Sequence, residues 1–210
     1  MLAEQSGIRT QSGRPIRFVP PGAKDANYEL KVFETGQVET RLESLHDFFN
    51  ALAWLAFPRT KARINAMHAG AIPREGGRRG RLRDLLTIFD EGGAIVRCDD
   101  EVLLELLAQG RWKELFWANR DRVKSAMRIV VLGHAVLEKA LEPWPGITSK
   151  VIVVPGAAQV DAAACAWLSA LPADASPRLM PPVPIYGYPD WLEQDEAFYD
   201  DERYFRQGKT

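Results

Sequence analysis

Cysteine is scarce in this chain: two residues, Cys98 and Cys165, among 210. They lie far apart and follow no paired-thiolate spacing, which excludes a zinc site built on such pairs and leaves reduced, buried thiols as the reading. Long apolar runs are missing as well. The stretches "ALAWLAF" and "KVIVV" are too short to cross a bilayer, and the polar start "MLAEQSGIRTQSGRPIRFVPPG" has no signal-peptide core. Nor is there a surplus of charge, because 27 Lys and Arg stand against 28 Asp and Glu for a formal net charge of -1. Nothing in that balance predicts nucleic-acid or membrane binding by the whole surface, so electrostatic recognition has to be local. The expectation is a soluble, cytoplasmic protein.

Several catalytic signatures are also absent. "GGRRGRLRD" lacks the lysine-serine or lysine-threonine end of a phosphate-binding loop, and no Gly-x-Gly-x-x-Gly follows a strand, so ATP and NAD are unsupported as cofactors. No nucleophile elbow occurs, and neither cysteine has an activating context.

What is present fits one domain, since 210 residues with 46% hydrophobic content supply one sizeable core. The pattern predicts an α/β fold, with mixed α+β as the alternative, mostly helical around a small sheet. Residues 1–37 read as N-terminal extended segments, "RPIRFVPPG" and "YELKVFETG" among them. Residues 38–171 form the core. There Thr40 and Glu43 suggest a capping box for a helix burying Leu42, Leu45, Phe49, Leu52 and Ala56, and Pro58 opens a second helix. "LLTIFDEGGAIVRC" reads as a β-hairpin about "DEGG", and "MRIVVL", "GHAVLEKALE" and "SKVIVV" as a βαβ unit. Asp99 or Asp100 caps one helix and Asp161 another. Residues 172–210, rich in proline and aromatics, read as an extended arm wrapped on the domain.

Three constellations carry candidate chemistry. On the helix pair, His46 stands one turn from Asn50, and Lys61 one turn from Asn65, with His68 beyond; both stripes border apolar faces, where pocket residues belong. His134 and Glu138 share a face directly after a strand, the position at which open α/β sheets bind ligands, and a histidine and carboxylate at that spacing supply metal ligands or an oriented base. The loop "PREGGRRGRLRD" offers Arg74, Arg78, Arg79, Arg81 and Arg83 for bidentate recognition of phosphate or carboxylate.

The segments "YELKVFETG", "TRLESLHDFFNALAWLAFPRTKARIN", "LRDLLTIFDEGGAIV", "WKELFW", "GHAVLEKAL" and "PIYGYPDW…FYDD…YF" together resemble the bacterial domain of unknown function 3025 family, over nearly the whole chain and in order. The resemblance implies a bacterial single-domain protein and carries over no activity, cofactor or catalytic residue.

The functional expectation therefore rests on the residues. A hydrolase or acid-base enzyme for an anionic small molecule would use His46, Asp47, Asn50, Lys61, Asn65, Asp84, His134 and Glu138, with Asp90 as a further nearby acid. The loop arginines would hold the substrate. A divalent metal on His46, His68, His134 and Glu138 is the metal-dependent version. The alternatives are a phosphate- or nucleic-acid-binding domain acting through the Arg74 to Arg83 loop, with nucleic acid ranked second, and a protein-interaction module acting through the arm.

Overall fold

The computed structural model describes residues 7–22, 27–75 and 79–206. In chain order the elements are β1 (Arg17–Val19), α1 (Tyr28–Thr35), β2 (Gln37–Glu39), α2 (Leu45–Ala56), α3 (Pro58–Ala71) and α4 (Arg81–Gly92). These are followed by β3 (Gly93–Cys98), α5 (Glu101–Gln109), a π-helical turn over Glu114–Ala118, α6 (Arg120–Ala126), β4 (Met127–Val131) and α7 (His134–Lys139). The chain closes with β5 (Thr148–Val154), α8 (Val160–Ser169) and β6 (Pro182–Pro184), joined by short 3-10 turns. The architecture is a mixed α/β domain around a small mixed sheet.

That sheet has the order β4-β3-β5-β6, with β3 and β5 parallel and both edge strands antiparallel. Its centre is covered on both sides. Along β3, Ala94, Val96 and Cys98 enter one apolar cluster with Phe116, Met127 and Val151, while Ile95 enters the other with Leu85, Leu86, Phe89, Ile152 and Leu168. Alternating side chains of a strand point to opposite faces, so a run of apolar residues is required where both faces are buried.

The expected βαβ unit is not formed. β4 runs back antiparallel along β3, and β5 lies on the other side of β3, so β4 and β5 flank a shared neighbour instead of pairing. The expected hairpin is absent too: "LLTIF" belongs to α4, with Leu85, Leu86 and Phe89 buried at helical spacing, and the helix passes straight into β3 at Gly93. The first extended segment contributes β1, which pairs in parallel with β2. The second is α1, stopped by Gly36 in the left-handed conformation (φ 75°), whose N–H reaches the Val32 carbonyl.

Helix α2 also departs from expectation. Its N-cap is Ser44, whose side chain accepts from the Asp47 N–H, and not Thr40. The face buried in the core carries Ala53 and Trp54, so Leu42 (91% exposed), Leu45 (52%) and Phe48 (53%) look outward. At the start of α3, Pro58 stands in the first turn, and the free N–H groups of Arg59 and Thr60 donate to the carboxylate of Asp161 at 3.0 and 2.8 Å. Asp161 thus caps α3, while its own helix α8 is capped by Gln159. Asp100 caps α5 as its position predicts.

Residues of the C-terminal segment pack on the sheet. Tyr188 Oη donates to the Met127 carbonyl at 2.9 Å, Tyr199 Oη to the Gly187 carbonyl at 2.8 Å, and Trp112 Nε1 to the Arg206 carbonyl at 2.7 Å. Among the described residues no helix is long and apolar enough to cross a membrane.

Candidate metal centre

The junction of α4 with β3 builds the site. Asp90 and Glu91 close the helix, and the next two residues, Gly92 and Gly93, pass beneath the turn after β4, where the N–H groups of Leu132 and Gly133 donate to the Gly93 carbonyl at 3.1 and 2.8 Å. A Cβ on Gly133 would stand 2.6 Å from Gly93 N and 2.7 Å from the Glu91 carbonyl oxygen, so the two backbones approach this closely because residue 133 has no side chain. His134 follows at once and is thereby set against Asp90 and Glu91.

Helix α2 packs on α7 and brings His46 to the same point. The Nε2 atoms of His46 and His134 are 3.2 Å apart, and Glu91 Oε2 lies 3.3 Å from His134 Nε2 and 3.7 Å from His46 Nε2. Each imidazole has a second carboxylate behind it. Glu138 Oε2 is 3.1 Å from His46 Nδ1, and Asp90 Oδ2 is 4.0 Å from His134 Nδ1. The side chain of His134 is 4% exposed, whereas those of His46 (35%) and Glu91 (43%) reach the cleft, so the group is anchored on one side and accessible on the other.

Behind His134 the polar chain continues inward. Lys61 Nζ, itself buried, donates to Asp90 Oδ1 at 2.5 Å and to Asn50 Oδ1 at 2.8 Å. Burial pushes the Asp90 carboxyl up, but the Lys61 ammonium and His134 more than offset this and leave it below its ordinary value. For His134 burial dominates and holds the imidazolium down, which keeps the ring neutral, the form that ligates metals. Farther along, Asn65 Nδ2 donates to the Glu29 carbonyl at 2.9 Å and to its carboxylate at 2.7 Å, and burial raises the Glu29 pKa.

A cleft of about 420 Å³ opens over these groups, lined by His46, Asn50, Asp90, Glu91 and His134 on one side and by Tyr28, Glu29, Glu39 and Arg41 on the other. Asp47 lies at its edge, gripped by the backbone N–H and the guanidinium of Arg41, and that hydrogen-bonded ion pair holds its carboxyl down at about 2.

Of the expected site residues, the structure brings together His46, Asn50, Lys61, His134 and Glu138, with Asp47 at the rim. Asn65 serves Glu29. His68 does not join the other histidines: it is buried, with Nδ1 accepting from Arg83 Nε at 3.3 Å, and it is outside the His46, Glu91, His134 group. Asp84 pairs with Arg79 near the other end of α4, and none of Arg74, Arg79, Arg81 and Arg83 lines the cleft. Arg78 lies outside the described residues. Glu91 and Glu29 were missed from sequence, Glu91 because it fell in the supposed hairpin turn.

Fold and site together define a mixed α/β domain with a two-histidine, one-carboxylate cluster at the mouth of an acidic cleft. The chain belongs to the DUF3025 family, whose model, described as a protein of unknown function, matches residues 16–209. No curated protein and no solved structure matches it.

Proposed function

We propose that this protein is a metal-dependent hydrolase whose divalent cation is held by His46 Nε2, His134 Nε2 and Glu91. The observation that carries this reading is the spacing of the three atoms. Ligands about 2.0–2.1 Å from a tetrahedral zinc lie roughly 3.3–3.4 Å from one another, and here the separations are 3.2, 3.3 and 3.7 Å.

The surrounding chemistry supports it. Metal-bound histidines ordinarily give their other N–H to a carboxylate, which fixes the ring and raises its basicity. Glu138 is hydrogen-bonded in that position behind His46, and Asp90 stands behind His134 at ion-pair distance. If both Nδ1 atoms carry protons toward those carboxylates, the three inner atoms all present lone pairs to one point, and a cation is what such a point accommodates. Glu138, expected as a ligand, takes the supporting role, and Glu91 replaces it and His68.

A divalent ion there would supply a Lewis acid that lowers the pKa of water enough for hydrolysis at neutral pH. The chain's own groups hold the ion, keep His134 neutral through burial, and leave the cleft side open for substrate. The anionic substrate expected from the arginine loop does not follow from this geometry, because the cleft lining is dominated by carboxylates with Arg41 as its cation.

The test is metal analysis of protein purified without a histidine tag, together with zinc titration by calorimetry. One equivalent bound, and lost in His46→Ala, is the expected result. Ferrous iron in place of zinc would redirect the chemistry, since two histidines and one carboxylate also serve oxygen-activating iron. No binding of either metal would overturn the proposal.

A further inference from the structure

At the opposite end of α4 the charge is reversed. A second cavity, of about 690 Å³, is lined by Arg63, Arg74 and Arg81, with Met67 and Leu82 as an apolar wall and Asp174 facing them. Glu75, the other carboxylate of the lining, is already matched by Arg83 at 3.1 Å. The side chains of Arg74 and Arg81, both exposed, have no ion pair or hydrogen bond among the described residues, and Arg63 gives Nη1 to Gln11 Oε1 at 3.5 Å while its buried Nε has no partner. Three guanidiniums against one unmatched carboxylate leave the cavity cationic.

Arg81 also lies at a helix start. It is the first residue of a twelve-residue helix whose N-cap, Gly80, has no capping side chain. The carboxylates at this helix start, Asp84 and Glu75, are already paired with Arg79 and Arg83, so the partial positive charge of the helix N-terminus adds to that of Arg81. The first-turn N–H groups and the guanidiniums then converge on one kind of ligand, because both recognise phosphate oxygens.

We infer that this cavity is a second, separate binding site for the phosphate group of a small phosphomonoester, with Met67 and Leu82 covering its uncharged part. Ten residues of helix separate Arg81 from Glu91, roughly 15 Å at the α-helical rise, so the site is independent of the proposed metal centre and stands if that centre fails.

The probes are adenosine 5′-monophosphate, adenosine and inorganic phosphate, titrated calorimetrically against the full chain at fixed ionic strength. Adenosine monophosphate should bind with a Kd of about 1 mM or tighter, and adenosine at least about tenfold more weakly. The Arg74→Gln, Arg81→Gln double variant should lose at least about tenfold in affinity, as expected for charge-assisted hydrogen bonds. That variant should melt no lower than the parent and should bind zinc unchanged, which separates loss of the site from loss of the fold. Equal binding of adenosine, or binding indifferent to the double variant, would overturn the inference. Inorganic phosphate binding as tightly as the ester would reassign the cavity to the free ion. Much tighter, steeply salt-dependent binding of an oligoribonucleotide would reassign it to nucleic acid.

Discussion

His46 and His134, 88 residues apart in sequence, meet edge to face with ring centroids 4.6 Å apart and planes inclined by 70°. The contact joins α2 to the start of α7, and both Nε2 atoms lie within 3.7 Å of Glu91 Oε2. In the proposed site Glu91 is a ligand and Glu138 a support, and the two roles separate experimentally. Glu138→Gln should weaken zinc binding by about 10- to 100-fold, the usual loss for a supporting carboxylate. Glu91→Gln should weaken it further, and equal effects in calorimetry would remove the distinction.

The close passage at Gly133 sets a second expectation. Gly133→Ala forces a methyl against the backbone of Gly92 and Gly93, and overpacking of this kind costs about 1–3 kcal/mol. Thermal melting should drop by about 2–4 °C for each kcal/mol in a chain of this size. Zinc affinity should fall in parallel because His134 is displaced from Glu91. A variant with unchanged melting and affinity would show that the turn does not position the histidine.

Lys61 and Asp90 form a pair that burial makes unequal to break. Lys61→Met leaves the Asp90 carboxylate without its ammonium, a loss on the order of 3 kcal/mol for a buried pair. Adding Asp90→Asn removes the stranded charge and should recover most of the stability. Urea denaturation of the single and double variants decides this, and an additive double variant would contradict it.

His68 makes stability depend on pH. Burial, followed by the neighbouring Arg83 guanidinium, holds its pKa down at about 4, against about 6.5 in an unfolded chain. The unfolded form therefore takes up a proton first as pH falls. The stabilisation from the neutral ring is complete above about pH 6.5 and is lost progressively toward pH 4, with a slope of at most about 1.4 kcal/mol per pH unit. Denaturation midpoints of the parent should fall more steeply over this window than those of His68→Gln, and parallel slopes would exclude the effect.

Helix α4 shows how much could be read in advance. Its C-terminal end runs against the helix dipole, with Asp90 and Glu91 in the last turn, while its N-terminal end is mixed, with Arg79, Arg81 and Arg83 around Asp84. The inversion is visible in "RLRDLLTIFDEGG", and it falls at the proposed metal centre. The signal is ambiguous in sequence, because the glycine pair after the acidic pair in "DEGG" suits a tight turn as well as a helix end. Likewise, "YELKVFET" alternates like a strand, but in the structure it is a helix with Val32 buried and Glu29 bonded by Asn65.

The sequence by itself determined the family and the local matters: the helical character of residues 45–71 and 101–109, the Asp100 cap, the break at Pro58, and His46, His134 and Glu138 as residues of interest. The family rests on the resemblance of segments along the whole chain; the rest follows from periodicity, capping chemistry and backbone restriction, which act over a few residues. Only the tertiary structure decided that β4 pairs with β3, that Asp161 caps a helix about 100 residues away, and that His46 and His134 converge on Glu91 while His68 turns to Arg83. Those outcomes depend on which faces are buried against each other, and burial is a property of the whole packed chain.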